Sequence, residues 1–252
     1  MDVLKVNYAT RVFDVKQVLK SEKLTPQSNE LKTTVELSTI AENSEIRYTM
    51  DGTVPKSSSF SYSKPIEISK ATTIKAAPFQ NGKIIGKPTT QTFYINSAFG
   101  LKYSLAKPAK NTYESGEFGL TNGIKGSEKN YAQWTGFQGN DMEITLDFGA
   151  PRSFTKVFIQ FLNRPESWIF LPDYVILSVS NDGKDWLDIN RSDFSHSRGE
   201  TRYIREAKLQ FSEYTKPKRY LKVFAKNMGK CPKGHVGEGQ AAWLFADEII
   251  VE

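Results

Sequence analysis

Turn dipeptides set between short β-prone runs constrain this chain more than any other feature. Asn81-Gly82 follows residues 72–78 (TTIKAAP) and precedes 83–86. A type I′ hairpin needs positive φ at both central residues, which Asn-Gly accepts readily. Asp51-Gly52 closes the alternating run 45–50 (EIRYTM), and Asn181-Asp182-Gly183 closes 174–180 (YVILSVS). Residues 143–148 (EITLDF) place Ile144, Leu146 and Phe148 on one face. Residues 155–162 (TKVFIQFL) are apolar on both faces, as a central strand of a sandwich should be. Runs 89–95, 219–226 and 248–251 read as further strands. Helical periodicity is nearly absent. Residues 12–20 (VFDVKQVLK) read as a short helix or, at least as well, a strand. No strand-and-crossover-helix alternation appears, which argues against a parallel sheet and for an all-β chain of β-sandwich type.

The length of 252 residues suits two domains, and composition shifts along it. All four Trp lie after residue 130, whereas the first hundred residues are rich in Thr, Ser, Ile and Lys. The expected organisation is a β-sandwich over 1–97, a connector leading into a first strand over 98–118, and a second β domain over 119–252. The net charge of +6 is thin. Residues 1–97 hold 13 basic and 9 acidic residues, and the rest hold 21 and 19. That spread argues against nucleic acid, which wants basic residues gathered on one face. No apolar run is long enough to span a membrane. The segment MDVLKVNYATRVFDV has no apolar core of the kind a signal peptide carries. One Cys excludes an internal disulfide, and two His leave little room for a His-based catalytic centre.

Longer motifs point to families. Tyr48, Thr49, Asp51, Gly52, Thr53 and Pro55, then Tyr62, Pro65, Ile66 and Ile68, then Thr72 to Ala76, fit a "YT-DGT-P", "Y--PI-I", "TTIKA" pattern. Residues 33–95 thereby resemble the β-sandwich found C-terminal to the barrel in chitobiases and β-hexosaminidases. In the second half, 120–127 (LTNGIKGS), 134–137 (WTGF), 178–186 (SVSNDGKDW) and 246–251 (ADEIIV) resemble the discoidin, or coagulation factor 5/8 type C, domain. That family includes family 32 carbohydrate-binding modules. The versions appended to family 20 glycoside hydrolases are similar to 167–172 and 230–245. The resemblance implies a fibronectin/immunoglobulin-like β-sandwich followed by a galactose-binding-like jelly roll. It also implies a non-catalytic accessory region of a bacterial β-N-acetylhexosaminidase, periplasmic, cell-surface or extracellular, working beside a catalytic barrel. A purely structural or protein-interaction module is the alternative, since fold alone does not fix function.

The family 20 barrel works with an Asp-Glu pair in an "H-GGDE" setting. The pair here, Asp247-Glu248, lies in 245–249 (FADEI) without His-Gly-Gly before it. On a regular strand its two side chains point to opposite faces, so this chain is not expected to be an enzyme. Family 32 modules often hold Ca²⁺ between the "DG" loop and the last strand. The matching positions are Asn122, Ser127 and Glu248, with Asn in place of Asp and Ile124 where a polar ligand is common. Oxygen ligands of this kind suit a hard cation.

A sugar site is expected on the long loops 128–140, 162–170, 194–202 and 228–242. They carry Trp134, Asn163, Arg164, Trp168, His196, His235 and Glu238. By resemblance, Asn163 and Arg164 meet sugar hydroxyls and Trp168 or Trp134 stacks on the sugar face. His235 and Glu238 form the rim. Galactose- or N-acetylhexosamine-type terminal sugars are the implied ligands. Trp186, following a hairpin turn in a strand, reads as core and Trp243 as structural, and Lys216, Lys218, Arg219 and Lys222 read as a solvated edge that discourages strand pairing.

Overall fold

The computed structural model describes residues 33–109, 113–128, 131–195, 201–211 and 216–252. Residues 12–20 and His196 lie outside them. The described chain is all-β, built from antiparallel sheets. Contacts divide it into two compact units, one ending at Ile95 and the other Asn96–Glu252.

The first unit holds β1 (Thr33–Val35), β2 (Glu45–Thr49), β3 (Phe60–Ser61), β4 (Ile66–Ile68), β5 (Thr72–Gln80), β6 (Lys83–Ile84) and β7 (Thr89–Phe93). β1 pairs with β4 in a small sheet; the larger sheet runs β3-β2-β5-β6, with β7 also paired to β5. Val35, Ile68, Ile74, Ala76 and Phe93 are buried among its apolar residues. The hairpin at 80–83 has φ of 52° at Asn81 and 74° at Gly82, the two positive values a type I′ turn requires.

In the second unit, β8 (Tyr103–Leu105) falls in the expected connector. It is followed by β9 (Thr135–Gln138), β10 (Met142–Arg152), β11 (Lys156–Asn163) and β12 (Tyr174–Ser180). The remaining strands are β13 (Leu187–Asp193), β14 (Tyr203–Gln210), β15 (Lys218–Ala225) and β16 (Trp243–Val251). One sheet has the order β13-β12-β15-β10-β8 and the other β14-β11-β16-β9. Alternate residues enter one core: Ile144, Leu146 and Phe148 from β10, Val157, Ile159 and Phe161 from β11, Leu177 and Val179 from β12, and Leu221 and Val223 from β15.

Two expectations change here. β15 lies between β12 and β10, so Arg219 and Lys222 are not on a sheet edge. Lys222 stands on the open face of a central strand, paired with Glu143, and Arg219, near the start of that strand, pairs with Asp147. Trp186 is half-buried on that face rather than in the core. Its ring lies against Tyr220 and under the Lys222 ammonium, 4.1 Å from the centroid, an arrangement that shields an exposed indole.

Candidate functional site

Strand parity explains most of what the second unit does with its candidate residues. Leu244 and Ala246 of β16 point into the core, and so do Ile249 and Val251. The step from 246 to 249 is one residue too long for simple alternation. The ladder shows why: Ile159 pairs with Ile249 and Gln160 with Asp247, leaving Glu248 unpaired in a β-bulge. Glu248 has φ of 25°, a conformation L-residues rarely adopt.

The bulge corrects the expectation that Asp247 and Glu248 face opposite sides. Both are turned under the loop 120–127 and both are 0% exposed. Glu248 Oε1 accepts from the Gly123 amide at 2.9 Å, and Asp247 Oδ2 accepts from the Gly126 amide. Ile249 N–H donates to Leu120 O, fastening the loop to the strand. Asp247 Oδ1 and Glu248 Oε2 are buried without a hydrogen-bond partner, as is Gln160 Oε1 on the residue paired with Asp247. Burial pushes the Asp247 carboxyl up to about 7, against the pull of the Gly126 and Glu248 amides and Lys125. Glu248 is raised by burial and then by Asp247 beside it. Two adjacent buried carboxyls, each with one oxygen left without a hydrogen bond, are the donor set a hard cation takes. Of the residues expected there, Asn122 Oδ1 accepts from the Ile124 amide, shaping the loop. Ser127 is exposed, with its carbonyl taken by the Trp134 indole N–H at 3.0 Å. Sequence reading missed Asp247, because only the bulge brings it beside Glu248. Among the described residues, no group of three or more His, Cys, Asp or Glu gathers as metal ligands, so a cation here needs backbone or amide oxygens as well.

The sugar-site candidates separate into buried and accessible residues. Trp134 is 0% exposed. It packs with Leu162, Ile169 and Phe245 on the outer side of the β14-β11-β16-β9 sheet, because even-numbered β11 residues and odd-numbered Phe245 face away from the core. It therefore offers no face to a sugar, contrary to expectation. Asn163 is also buried and donates through Nδ2 to Thr201 O at 2.8 Å, tying the end of β11 to the start of β14.

Arg164, Trp168, His235 and Glu238 belong to two loops that touch. Residues 164–169 form a tight loop closed by Arg164 N–H to Ile169 O and Ile169 N–H to Arg164 O. His235 Nδ1 accepts from the Gly237 amide at 3.0 Å, so the ring proton sits on Nε2 and is donated to Pro165 O, also at 3.0 Å. Trp168 is half-buried, with φ of 63°. A Cβ at Gly237 would lie 2.7 Å from its Cε2, so only Gly lets the two loops approach this closely. Phe170, Cys231 and Ala242 seal the seam beneath. Glu238 is exposed and accepts from the Gly234 amide.

The Arg164 head is held on two sides. Its guanidinium lies over the Tyr131 ring, 4.9 Å from the centroid, and its Nε donates to Glu166 Oε1 at 3.0 Å. The same oxygen accepts from Arg202 Nε at 2.9 Å. Burial would raise the Glu166 carboxyl, but hydrogen bonds from Arg202 and Arg164 outweigh it and hold the group below its usual value. Tyr131, Glu166 and Arg202 were not among the expected site residues. The signal for Glu166 lay in the sequence, two residues beyond Arg164.

No curated protein matches the chain. Among solved structures it is similar to chitosan-binding module 1 of a Paenibacillus sp. IK-5 chitosanase/glucanase, with 14% identity, 62% of this chain and 98% of that one covered, and a TM-score of 0.38. It is similar to the lectin binding domain of Lectinolysin complexed with Lewis b, with 19% identity, 62% and 94% coverage and a TM-score of 0.40. It is also similar to CpGH89CBM32-5 of Clostridium perfringens, in complex with GalNAc-β-1,3-galactose, with 17% identity, 60% and 94% coverage and a TM-score of 0.37. The all-β architecture rests on the strand pairing above, not on these likenesses. In the first unit, residues 35–93 match the family described as Fn3 associated.

Proposed function

We propose that this chain is a non-catalytic accessory region of a glycoside hydrolase, the parent being a bacterial β-N-acetylhexosaminidase. The first domain, 1–97, spaces and braces, and the second, 119–252, binds terminal galactose- or N-acetylhexosamine-type sugars. The parent works in the periplasm, at the cell surface or outside the cell. The observation that supports sugar binding best is Arg164. Its planar donor head is laid on Tyr131 and steered by Glu166, in the same 164–169 loop as half-buried Trp168, and His235 is fastened to that loop at Pro165 O. A rigid donor and an indole carried by one loop are what a sugar's hydroxyls and apolar face call for. A single shallow site of this size binds weakly, near millimolar, or about −4 kcal/mol. Attachment to a catalytic barrel makes such an affinity useful by raising the local substrate concentration.

Titration of the isolated chain with galactose and N-acetylgalactosamine tests the reading. Binding that is lost in Arg164→Ala supports it. No binding by either sugar leaves the purely structural module, which the burial of Trp134 and Asn163 favours.

The same domain has a cation lock under loop 120–127, with Asp247 and Glu248 as its charged ligands and the amide oxygen of Asn122 or loop carbonyls beside them. A bound Ca²⁺ supplies the counter-charge for the two carboxylates and so pins the loop to β16. Terbium tests this without any sugar. Trp134 and Asp247 both lie within 3.0 Å of where a Cβ on Gly126 would sit. Trp134 therefore sensitises emission from Tb³⁺ bound there, and excess Ca²⁺ quenches it. Absence of sensitised emission contradicts the lock.

A further inference from the structure

We propose that the sugar taken at Arg164 carries an anionic substituent, a carboxylate or a sulfate. The inference rests on the glycan-binding reading and names its ligand class more narrowly. It starts from the charge count around Glu166. Two guanidiniums, Arg164 and Arg202, share one carboxylate oxygen, so among the described residues the cluster keeps one positive charge in excess. Arg202 makes a second contact to that oxygen through Nη2.

The geometry leaves a defined edge open. One face of the Arg164 head lies on Tyr131 and the Nε edge lies on Glu166. What remains is the Nη1–Nη2 fork. The Arg202 Nε and Nη2 are both on Glu166, leaving its Nη1. Both side chains reach solvent, 21% exposed for Arg164 and 41% for Arg202. The backbone of Arg164 is fixed at both its N–H and its C=O, so the fork needs little ordering when a ligand arrives. A neutral hydroxyl uses one prong of such a fork. A carboxylate or sulfate uses two in parallel, with charge-assisted bonds roughly twice as strong as neutral ones. Glu166 then acts as a positioning residue that gathers the two arginines while neutralising only one of them.

The experiment compares galactose, galacturonate and galactose 6-sulfate by calorimetry on the full chain, at low and at high salt. Galacturonate or the sulfate should bind at least about tenfold tighter than galactose, a margin of about 1.4 kcal/mol. High salt should shrink that margin, because the pair is partly exposed. The stronger of the two anionic sugars identifies the substituent. In Arg202→Ala the anionic sugar should fall toward galactose measured on the same variant. Arg202→Lys, which keeps the charge and loses the planar guanidinium, should recover part of the margin. Equal binding of galactose and both anionic sugars overturns the inference while leaving the glycan-binding reading intact. So does a margin that Arg202→Ala does not change. Binding of none of the three sinks the glycan-binding reading itself.

Discussion

At the scale of single residues, Arg164 and Trp134 make opposite predictions although both sit in loops rich in candidate residues. Arg164→Ala removes a half-exposed head that stacks on one ring and pairs with one carboxylate. Exposed interactions of this kind are worth about 1 kcal/mol or less. The melt should move little while sugar binding is lost. Trp134→Ala opens a cavity in a sealed cluster and should cost about 3–5 kcal/mol, whatever it does to sugar. Calorimetric melts of the two variants check both. Asp247 gives a pH signature. Its folded carboxyl is raised by burial to about 7, from an ordinary value of 3.8. Between those values the folded state holds a proton that the unfolded state has released, so stability falls as pH rises. Without divalent cation, the melting temperature should drop from pH 5 toward pH 8. Added Ca²⁺ should flatten the slope and raise the melt by mass action, and Asp247→Asn should weaken the Ca²⁺ effect and reduce the slope to the part that the buried, raised Glu248 carboxyl contributes. A pH-independent melt without cation would contradict the buried, raised carboxyl.

At the scale of elements, legibility followed how local each determinant is. The hairpin at Asn81-Gly82 needs only its own two residues, and the positive φ values appear where the dipeptide requires them. Strands β10, β11, β12 and β15 were legible because their alternation or two-sided apolarity reports their neighbours. The β16 bulge was not, because an inserted residue leaves no mark in a run such as ADEIIV; only the pairing with β11 shows that Glu248 has no partner. The place of Trp134 was hidden for a similar reason. A Trp before a strand may lie on either side of a sheet, and here the outer side of β11 and β16 supplies Leu162 and Phe245 to cover it. Two glycines test the loop seams. Gly126→Ala puts a Cβ 2.7 Å from Trp134 ring atoms and 3.0 Å from Asp247 Oδ2. It should cost about 1–3 kcal/mol by overpacking and abolish the terbium signal. Gly237→Ala meets Trp168 at 2.7 Å and should weaken sugar binding with a smaller loss of stability, since that seam is partly exposed. Equal sugar affinity in Gly237→Ala and the parent chain would detach Trp168 from the site.

At the scale of the whole molecule, the described chain is two all-β units, and the adjacent Asp247-Glu248 carboxylates of the second are fully enclosed. Each carboxylate is capped by a loop amide, so neither reaches a glycosidic oxygen. The isolated chain should hydrolyse no chromogenic N-acetylhexosaminide. Turnover above blank that Glu248→Gln abolishes would overturn that assignment. Among the described residues, no helix is long and apolar enough to cross a membrane. The central claim is that the second unit holds a terminal sugar at Arg164. It is tested most directly by nitrogen-15 NMR of the arginine Nε–H and tryptophan indole N–H signals during titration with galactose and galacturonate. The account predicts saturable shifts at Arg164 and Trp168, with a Kd near millimolar for galactose, about −4 kcal/mol, and a lower one for galacturonate. The buried Trp134 indole should stay still, and Arg164→Ala should remove every sugar-dependent shift while keeping a folded spectrum. Shifts that survive in Arg164→Ala, or a spectrum that neither sugar perturbs, would contradict it.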